Sequence, residues 1–498
     1  MSLMGVEIGS TGCKAAVYTL EGVPRAQAAR AYEPRSRRDG MREIDTREVW
    51  AAIRDVIARA AAQSSTDPVQ ALSVASLSEA VTAISPDGLP LSQCLLGCDR
   101  ASQPYLQAVR DKLGDQRLFD LTGQVAGPAC VLNTVGYIRD KQPELYANAW
   151  RLLPWSSLAC ALLGGRVLCD YSIASRSLLF DMRQRRWARP ILDVLGVSET
   201  KLPDLAPGGT PAGTLSPALA RELGLSPRVR LIVGGHSPCC TALGAGVVRP
   251  ELALYELGLS LRMAVTFAAL PLTSMLLARG LSLGYHVLPE LYLSLVYTAS
   301  GGSLLKWFRD QLAAAEARDA QRRGTSYYDE LLAEMPDEPT SLIALPHWAP
   351  PGPPLLDPKA SGAILGLRLE TTRGEMLKAL LEGMSYYMAQ GMAHYQDMGL
   401  RIEWLRATGG GARSATWLQL SVDVLGVPAE LPEVTDATTL GAALLAGLGS
   451  GAYGNAAEAV RAAVRIRRRL EPNAARHAKY RSMLQRYAEL DAWWREHE

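Results

Sequence analysis

The chain has 498 residues, 48% of them hydrophobic, enough to bury two full cores, and its length favours at least two domains. Lys plus Arg number 52 and Asp plus Glu 50, a formal charge of +2, so no electrostatic footprint points to nucleic acid or an anionic membrane. A small molecule is the expected partner, and a homodimer is left open. The eight cysteines lack short metal-type CxxC pairs, and no secretory leader precedes the first strand. They read as reduced thiols of a cytoplasmic protein.

In chain order, Met1-Ser2-Leu3 reads as an added leader before Met4. Gly5 to Tyr18 then reads as strand, tight turn, strand, with Gly9 and Gly12 bracketing the hydroxyl pair Ser10 and Thr11. Such a hairpin can wrap a terminal phosphate: Ser10 and Thr11 offer donors, Lys14 a charge, and Glu7 a hard oxygen for Mg²⁺. An ordinary edge hairpin gives the same pattern. Helical segments such as Thr46 to Ala62 and Pro217 to Leu223, the latter with Ser216 as N-cap, alternate with strand-type runs at Leu72 to Ala75 and Val229 to Val233. Cys239-Cys240 reads as core filling. The apolar stretches Leu153 to Leu168 and Leu252 to Ala278 are too short, or interrupted by Glu256 and Arg262, to cross a membrane.

The second half repeats the theme, with Leu252 to Leu257 leading into Gly258-Leu259-Ser260 as the counterpart of the first hairpin. Pro346 to Pro354 cannot be helix or central strand and reads as a rigid connection near a cleft. Gly409, Gly410 and Gly411 open what reads as an amphipathic helix from Ser414. Without Cβ atoms the triplet can lie flat against a base and ribose, and the helix start presents amides to polar ligand groups. A flexible loop would look the same. The tail from Arg461 to Glu498 is charged and helical in pattern, a solvated helix packing its aromatics on the domain.

Together these segments resemble the FGGY carbohydrate kinases, the family of xylulokinase, ribulokinase and glycerol kinase, over nearly the whole length. Beyond the two ends the resemblance is carried by Val74 to Ala80, Pro86 to Leu91, Asp170 to Ser175 with Phe180-Asp181, Gly234-Gly235-His236, Ala242 to Gly246, Leu381 to Met384 and Leu440 to Gly447. The resemblance implies an α/β fold of two ribonuclease-H-like, actin-type ATPase domains, residues 1–247 on the sugar side and 248–498 on the nucleotide side, with a cleft between them. It implies transfer of the γ-phosphate of MgATP to a sugar or polyol hydroxyl. Adenine nucleotide is then expected against Gly409, Gly410 and Gly411, with Ser414 and Gln419 on the following helix. Phosphates are expected at Ser10, Thr11, Lys14, Gly258 and Ser260, and Mg²⁺ at Glu7. Glu79, Asp99 and Arg100 are the candidate substrate contacts.

Several chemical positions depart from the family. Its Gly-Gly-His-Asp supplies an Asp as general base; here His236 is followed by Ser237. A serine hydroxyl near neutral pH cannot accept a proton as a carboxylate can, and a positioned base is worth about 10²- to 10⁴-fold in rate. His236 substitutes only if its ring points into the cleft; a structural histidine is the plainer reading. The first-strand Asp is Glu7, one methylene longer, and the Gly-Thr of the second hairpin is Gly258-Leu259, short of one hydroxyl although Ser260 remains. Where relatives show Trp-x-Asp-x-Arg, this chain has Gly97-Cys98-Asp99-Arg100-Ala101. Two readings follow: a kinase that tolerates a weak base, and an impaired pseudokinase that binds nucleotide or sugar without efficient turnover.

Overall fold

The structure, a computed structural model, describes residues 1–37, 41–96, 103–127, 130–271 and 274–497. In the first half β1 (Ser2–Ile8), β2 (Gly12–Thr19) and β3 (Pro24–Ala31) form an antiparallel meander. They are followed by α1 (Thr46–Gln63), β4 (Val69–Ser76), β5 (Pro211–Thr214), α2 (Pro217–Leu223), β6 (Arg230–His236) and α3 (Ser237–Gly244). The sheet order is β5-β6-β4-β1-β2-β3, with β1, β4 and β6 parallel. Parallel strands need a crossover, and α1 supplies the one from β3 to β4. It starts where Asp45 accepts the amides of Arg47 and Glu48, and its Val49, Ile53, Val56, Ile57 and Ala60 recur at helical spacing and are buried. Ser216 caps α2 by accepting the Leu219 amide, and left-handed Gly224 ends it. Between β4 and β5 the chain builds a mostly helical lobe with its own core around Leu118, Leu132, Ile138, Phe180 and Ile191.

The second half contains β7 (Leu252–Leu257), β8 (Leu261–Phe267), β9 (Leu283–Tyr285), β10 (Tyr292–Thr298) and α4 (Arg373–Asp397). After these come β11 (Trp404–Thr408), α5 (Ala415–Leu425), β12 (Ala429–Pro432), α6 (Ala437–Gly449), β13 (Ile466–Leu470) and α7 (Ala474–His497). Its sheet runs β9-β10-β8-β7-β11-β12-β13. Apart from the edge strand β9, this repeats the first sheet strand for strand. A hairpin (β7, β8) and a third antiparallel strand (β10) continue into two parallel strands (β11, β12) and an antiparallel edge (β13).

The tail corrects one expectation. Residues 466–470 are a strand, not helix: Arg469 of β13 pairs with Glu430 of β12 at 3.0 Å and lies over the Trp404 ring, so the arginines decorate a sheet edge before the helix begins. From Ala474 onward the tail is helical, and Tyr480, Tyr487 and Asp491 of α7 are buried. Among the described residues no helix is long and apolar enough to cross a membrane. The seven described cysteines are free and buried, Cys239 and Cys240 within the core shared by the two sheets.

That shared core is built around α6, which packs on α3 and on β1, β4 and β6. Glycines allow the approach. A Cβ on Gly441 would stand 1.8 Å from the Cys240 carbonyl oxygen, one on Gly244 1.9 Å from that of Ala437, and one on Gly5 1.8 Å from that of Thr439. Hydroxyls tie the crossing, Tyr18 to Thr439 and Thr241 to Thr438, each at 2.8 Å. β1 and the latter part of α3 are thereby fixed against α6 of the second half.

Candidate functional site

Both hairpin turns open into one cavity of about 830 Å³. The first contributes Glu7, Gly9, Ser10, Thr11 and Lys14; the second contributes Glu256, Gly258, Leu259, Ser260 and Arg262. The remaining wall includes Glu79, Arg176, His236, Ser237 and Tyr297. Each turn is closed by its own backbone, Gly9 donating to the Gly12 carbonyl at 2.9 Å and Gly258 to that of Ser260 at 3.1 Å. The Tyr32 hydroxyl donates to the Gly9 carbonyl at 2.6 Å and bolts the first turn to the sheet. Gly12 is needed for close approach, since a Cβ there would lie 2.8 Å from the Arg30 carbonyl oxygen.

Charges gather at the hairpin bases. Lys14 approaches Asp436 at 3.4 Å, and the Gln27 amide donates to the same carboxylate at 3.1 Å. Burial pushes the Glu7 carboxyl up to about 7; Asp436 and Glu256 add to the rise, while Lys14 and Arg262 oppose it. A carboxyl held this way is short of positive charge. Among the described residues no three His, Cys, Asp or Glu side chains are grouped to hold a metal ion. Mg²⁺ does not require such a cage, because it keeps several waters and is commonly bound through one or two carboxylates plus substrate phosphates. Glu7 fits that role.

Elsewhere in the lining, the Ser237 hydroxyl is buried and has no hydrogen-bond partner. Ser237 opens α3, with Pro238 in its first turn. The His236 ring is taken up by its surroundings, Nε2 standing 3.3 Å from the Ser78 hydroxyl and Nδ1 4.0 Å from Cys239 Sγ. Its backbone amide donates to Ser172 at 2.8 Å, and burial lowers its pKa to about 3. The ring is therefore neutral. Burial alone would raise the Glu79 carboxyl, but neighbouring His236 and Arg176 and the Ser78 hydroxyl hold it below its ordinary value. Of these neighbours the Arg176 guanidinium is the one that is always charged. Arg176 is itself braced by Gln124 at 2.6 Å.

The glycine triplet adjoins this cavity through the second hairpin. Gly409 has φ +86° and sits so close to β7 that a Cβ would be 2.6 Å from the Leu257 carbonyl oxygen. One on Gly411 would meet the Trp417 ring at 2.4 Å, whereas one on exposed Gly410 would meet nothing within 4 Å. Ser414 is the N-cap of α5, accepting the Trp417 amide at 3.2 Å. Gln419 lies on α5, the helix that follows the triplet. Its amide donates to Asp423 at 2.8 Å and to the Glu471 carbonyl at 2.9 Å, so it staples α5 to the segment before α7. Asp99 and Arg100 lie outside the described residues. Glu256, Arg262, Arg176 and Asp436 were not singled out as ligand contacts from the sequence, although Glu-x-Gly recurs at Glu7 and Glu256.

Comparison with known proteins fits this geometry. The N-terminal domain of the FGGY family of carbohydrate kinases matches residues 2–244, and its C-terminal domain matches residues 271–450. The chain belongs to the FGGY family of carbohydrate kinases. A glycerol kinase of Thermus brockianus is 29% identical over 517 residues, covering 99% of each chain. A gluconokinase of Bacillus subtilis (strain 168) is 24% identical over 447 residues, 89% of this chain and 86% of the relative. Among solved structures, xylulose kinase from Rhodospirillum rubrum superposes with a TM-score of 0.87 at 24% identity, covering 100% of this chain and 99% of the other. Gluconate kinase from Lactobacillus acidophilus gives 0.87 at 19%, covering 98% and 97%. These structures share the two-domain kinase fold with its mixed α/β sheets.

Proposed function

We propose that this FGGY kinase is a cytoplasmic enzyme that transfers the γ-phosphoryl group of ATP to a hydroxyl of a sugar or polyol. The cleft would lie between two ribonuclease-H-like, actin-type domains, residues 1–247 and 248–498. The observation that carries the reading is that Ser10, Thr11 and Lys14 share one cavity with Gly258, Ser260, Glu79 and Ser237. Phosphate donors, a metal-type carboxyl and a sugar-facing carboxylate thus meet in a single space. Names of relatives, glycerol kinase and gluconokinase, keep polyol and sugar acid among the acceptors.

In this reading the acceptor oxygen bonds to the γ-phosphorus while the bond from Pγ to the bridging oxygen breaks, its electron pair leaves with ADP, and the hydroxyl proton passes to solvent water. Bound at Glu7, Mg²⁺ would supply positive charge to the phosphates. The backbone amides and hydroxyls of the two turns hold the phosphates, and Glu79 orients the acceptor through its hydroxyls. Ser237, with its free hydroxyl on the wall, hydrogen-bonds the acceptor but takes no proton, so the proton leaves without a strong base. Phosphoryl transfer has a loose transition state and depends mainly on positioning and electrostatics, so a weak base lowers the rate without abolishing it.

Ser237 also favours a second reading, a pseudokinase that binds nucleotide or sugar with little turnover. Leu259 points the same way: at the second turn, where the family has a hydroxyl, it presents a side chain 73% exposed. An ATP-turnover screen over polyols, sugars and sugar acids, run beside binding of a non-hydrolysable ATP analogue, separates the two. Turnover with one acceptor supports the kinase. Analogue binding with no turnover across the panel supports the pseudokinase, and absence of both refutes the nucleotide site.

A further inference from the structure

The two hairpins repeat a charge pair as well as a turn. In the first, Glu7 stands directly across the ladder from Lys14; in the second, Glu256 stands directly across from Arg262. Each glutamate is followed by an apolar residue and a turn glycine, Glu7-Ile8-Gly9 and Glu256-Leu257-Gly258. Directly opposed residues of an antiparallel pair project from the same face of the sheet, and all four side chains line the cavity.

Arg262 is held loosely. Its Nη1 lies 3.4 Å from Glu256 Oε2, with the two side chains 36% and 22% exposed, so the pair is open to solvent and weak. Its charge is felt in two directions, by Glu7 on the opposite hairpin and by His236 beside Ser237. The guanidinium shares one cavity with both turns and with Ser237, the position of the family's base. The wall around it carries the carboxylates of Glu7, Glu79 and Glu256, a poor setting for a polyanionic phosphate chain unless cations offset them. The second turn has lost a hydroxyl at Leu259, and a planar guanidinium is well suited to phosphate oxygens.

We propose that Arg262 is a phosphate-binding residue, the counterpart on the second hairpin of Lys14 on the first. On arrival of nucleotide its guanidinium exchanges Glu256 for the terminal phosphoryl group. This rests on the nucleotide reading above, and its distinguishing mark is discrimination between a triphosphate and a diphosphate. The test is calorimetric titration of the full chain with Mg²⁺ and either ADP or the β,γ-imido analogue of ATP, for wild type, Arg262→Ala, Arg262→Lys and Glu256→Gln.

Arg262→Ala is expected to weaken the analogue by about 10- to 100-fold, the range for a lost hydrogen bond to a charged group, and ADP by less than about twofold. Arg262→Lys should recover part of the loss, and Glu256→Gln, which frees the guanidinium, should tighten the analogue. Equal losses for both nucleotides, or no loss for either, overturn the proposal, with circular dichroism confirming that the variant is folded. Loss of affinity for a carboxylate-bearing sugar, with the analogue unaffected, overturns it in favour of an acceptor-reading arginine. Wild type that binds neither nucleotide fails before any variant is made, which marks the nucleotide reading as the fault.

Discussion

The crossing of α6 over β1 and α3 and the cleft wall beside it are neighbours in the fold, yet they are built on opposite terms. At the crossing, Gly5, Gly244 and Gly441 leave no room for a methyl group against facing carbonyls, and the side-chain hydroxyls of Tyr18, Thr241, Thr438 and Thr439 are paired. At the wall, the Ser237 hydroxyl is unpartnered, Glu7 is a carboxyl raised to about 7, and Leu259 is exposed. Close packing forbids substitution in the first region because any added atom needs backbone movement. The second region is set by charge and hydrogen bonding instead, so a substitution there need not move the backbone.

The contrast breaks most directly at Gly441. Gly441→Ala places a Cβ where the Cys240 carbonyl oxygen now stands and should destabilise the protein by about 3 kcal/mol or more, the upper range of overpacking. A urea midpoint equal to that of wild type would mean that the crossing is slack. Next in size is Ser237→Asp, which puts a carboxylate at the first residue of α3, where the macrodipole helps keep it charged. Turnover should rise by roughly 10²-fold, the lower end of a general base. If the single variant shows no gain but Glu7→Asp, Ser237→Asp, Leu259→Thr together does, the cleft is that of a decayed kinase kept for binding. Fast turnover by the unmodified chain, unchanged in Ser237→Ala, would place the base elsewhere.

What was legible follows the same division. Short-range patterns marked the turns at Gly9–Gly12 and Gly258–Ser260, the cap at Ser216 and the start of α5 at Ser414, because local sequence dictates them. The crossing of α6 was invisible to local reading, because it joins Gly441 to Cys240 across a wide gap in sequence. Arg467 to Arg469 resemble a charged helix until Glu430 and Trp404 are brought beside them. Local reading puts Gln419 on the helix after the triplet but does not show that Asp423 one turn further and the distant Glu471 carbonyl take up its amide. Arg262 looked like an interruption of an apolar stretch. Its role required seeing that Glu256 lies opposite it and that the cavity reaches Glu7.

A third test concerns pH. Glu7 titrates near 7 in the folded chain and near 4.5 when unfolded, so the folded state binds the extra proton. The stability this contributes is fully present below about pH 4.5 and is lost as pH rises through 7. Allowing for partial solvent access, the loss by pH 8 is on the order of 2 kcal/mol. Glu7→Gln removes the charge, so its stability should match wild type at pH 4.5 and exceed it at pH 8. Millimolar Mg²⁺ with nucleotide should close the gap by stabilising wild type. A pH-independent difference between the two proteins, measured by urea unfolding, would show that Glu7 is not the strained group.

The smallest effect expected is at Gly410, and it draws the sharpest line between frame and site. Unlike Gly441, this glycine has φ −63° and an open Cβ direction, with no atom within 4 Å. Nothing in the fold requires glycine there, so Gly410→Val should leave the urea midpoint within about 0.5 kcal/mol of wild type, as for surface substitutions away from packed or capped positions. If the triplet forms one face of an adenine site, the branched side chain stands in the plane of the base and lowers nucleotide affinity by about tenfold or more, roughly 1.4 kcal/mol. Stability and binding then separate in one variant: the first unchanged, the second reduced. Unchanged affinity with an unchanged midpoint would move the base away from the triplet. Loss of stability would mean that Gly410 belongs to the frame, as Gly441 does.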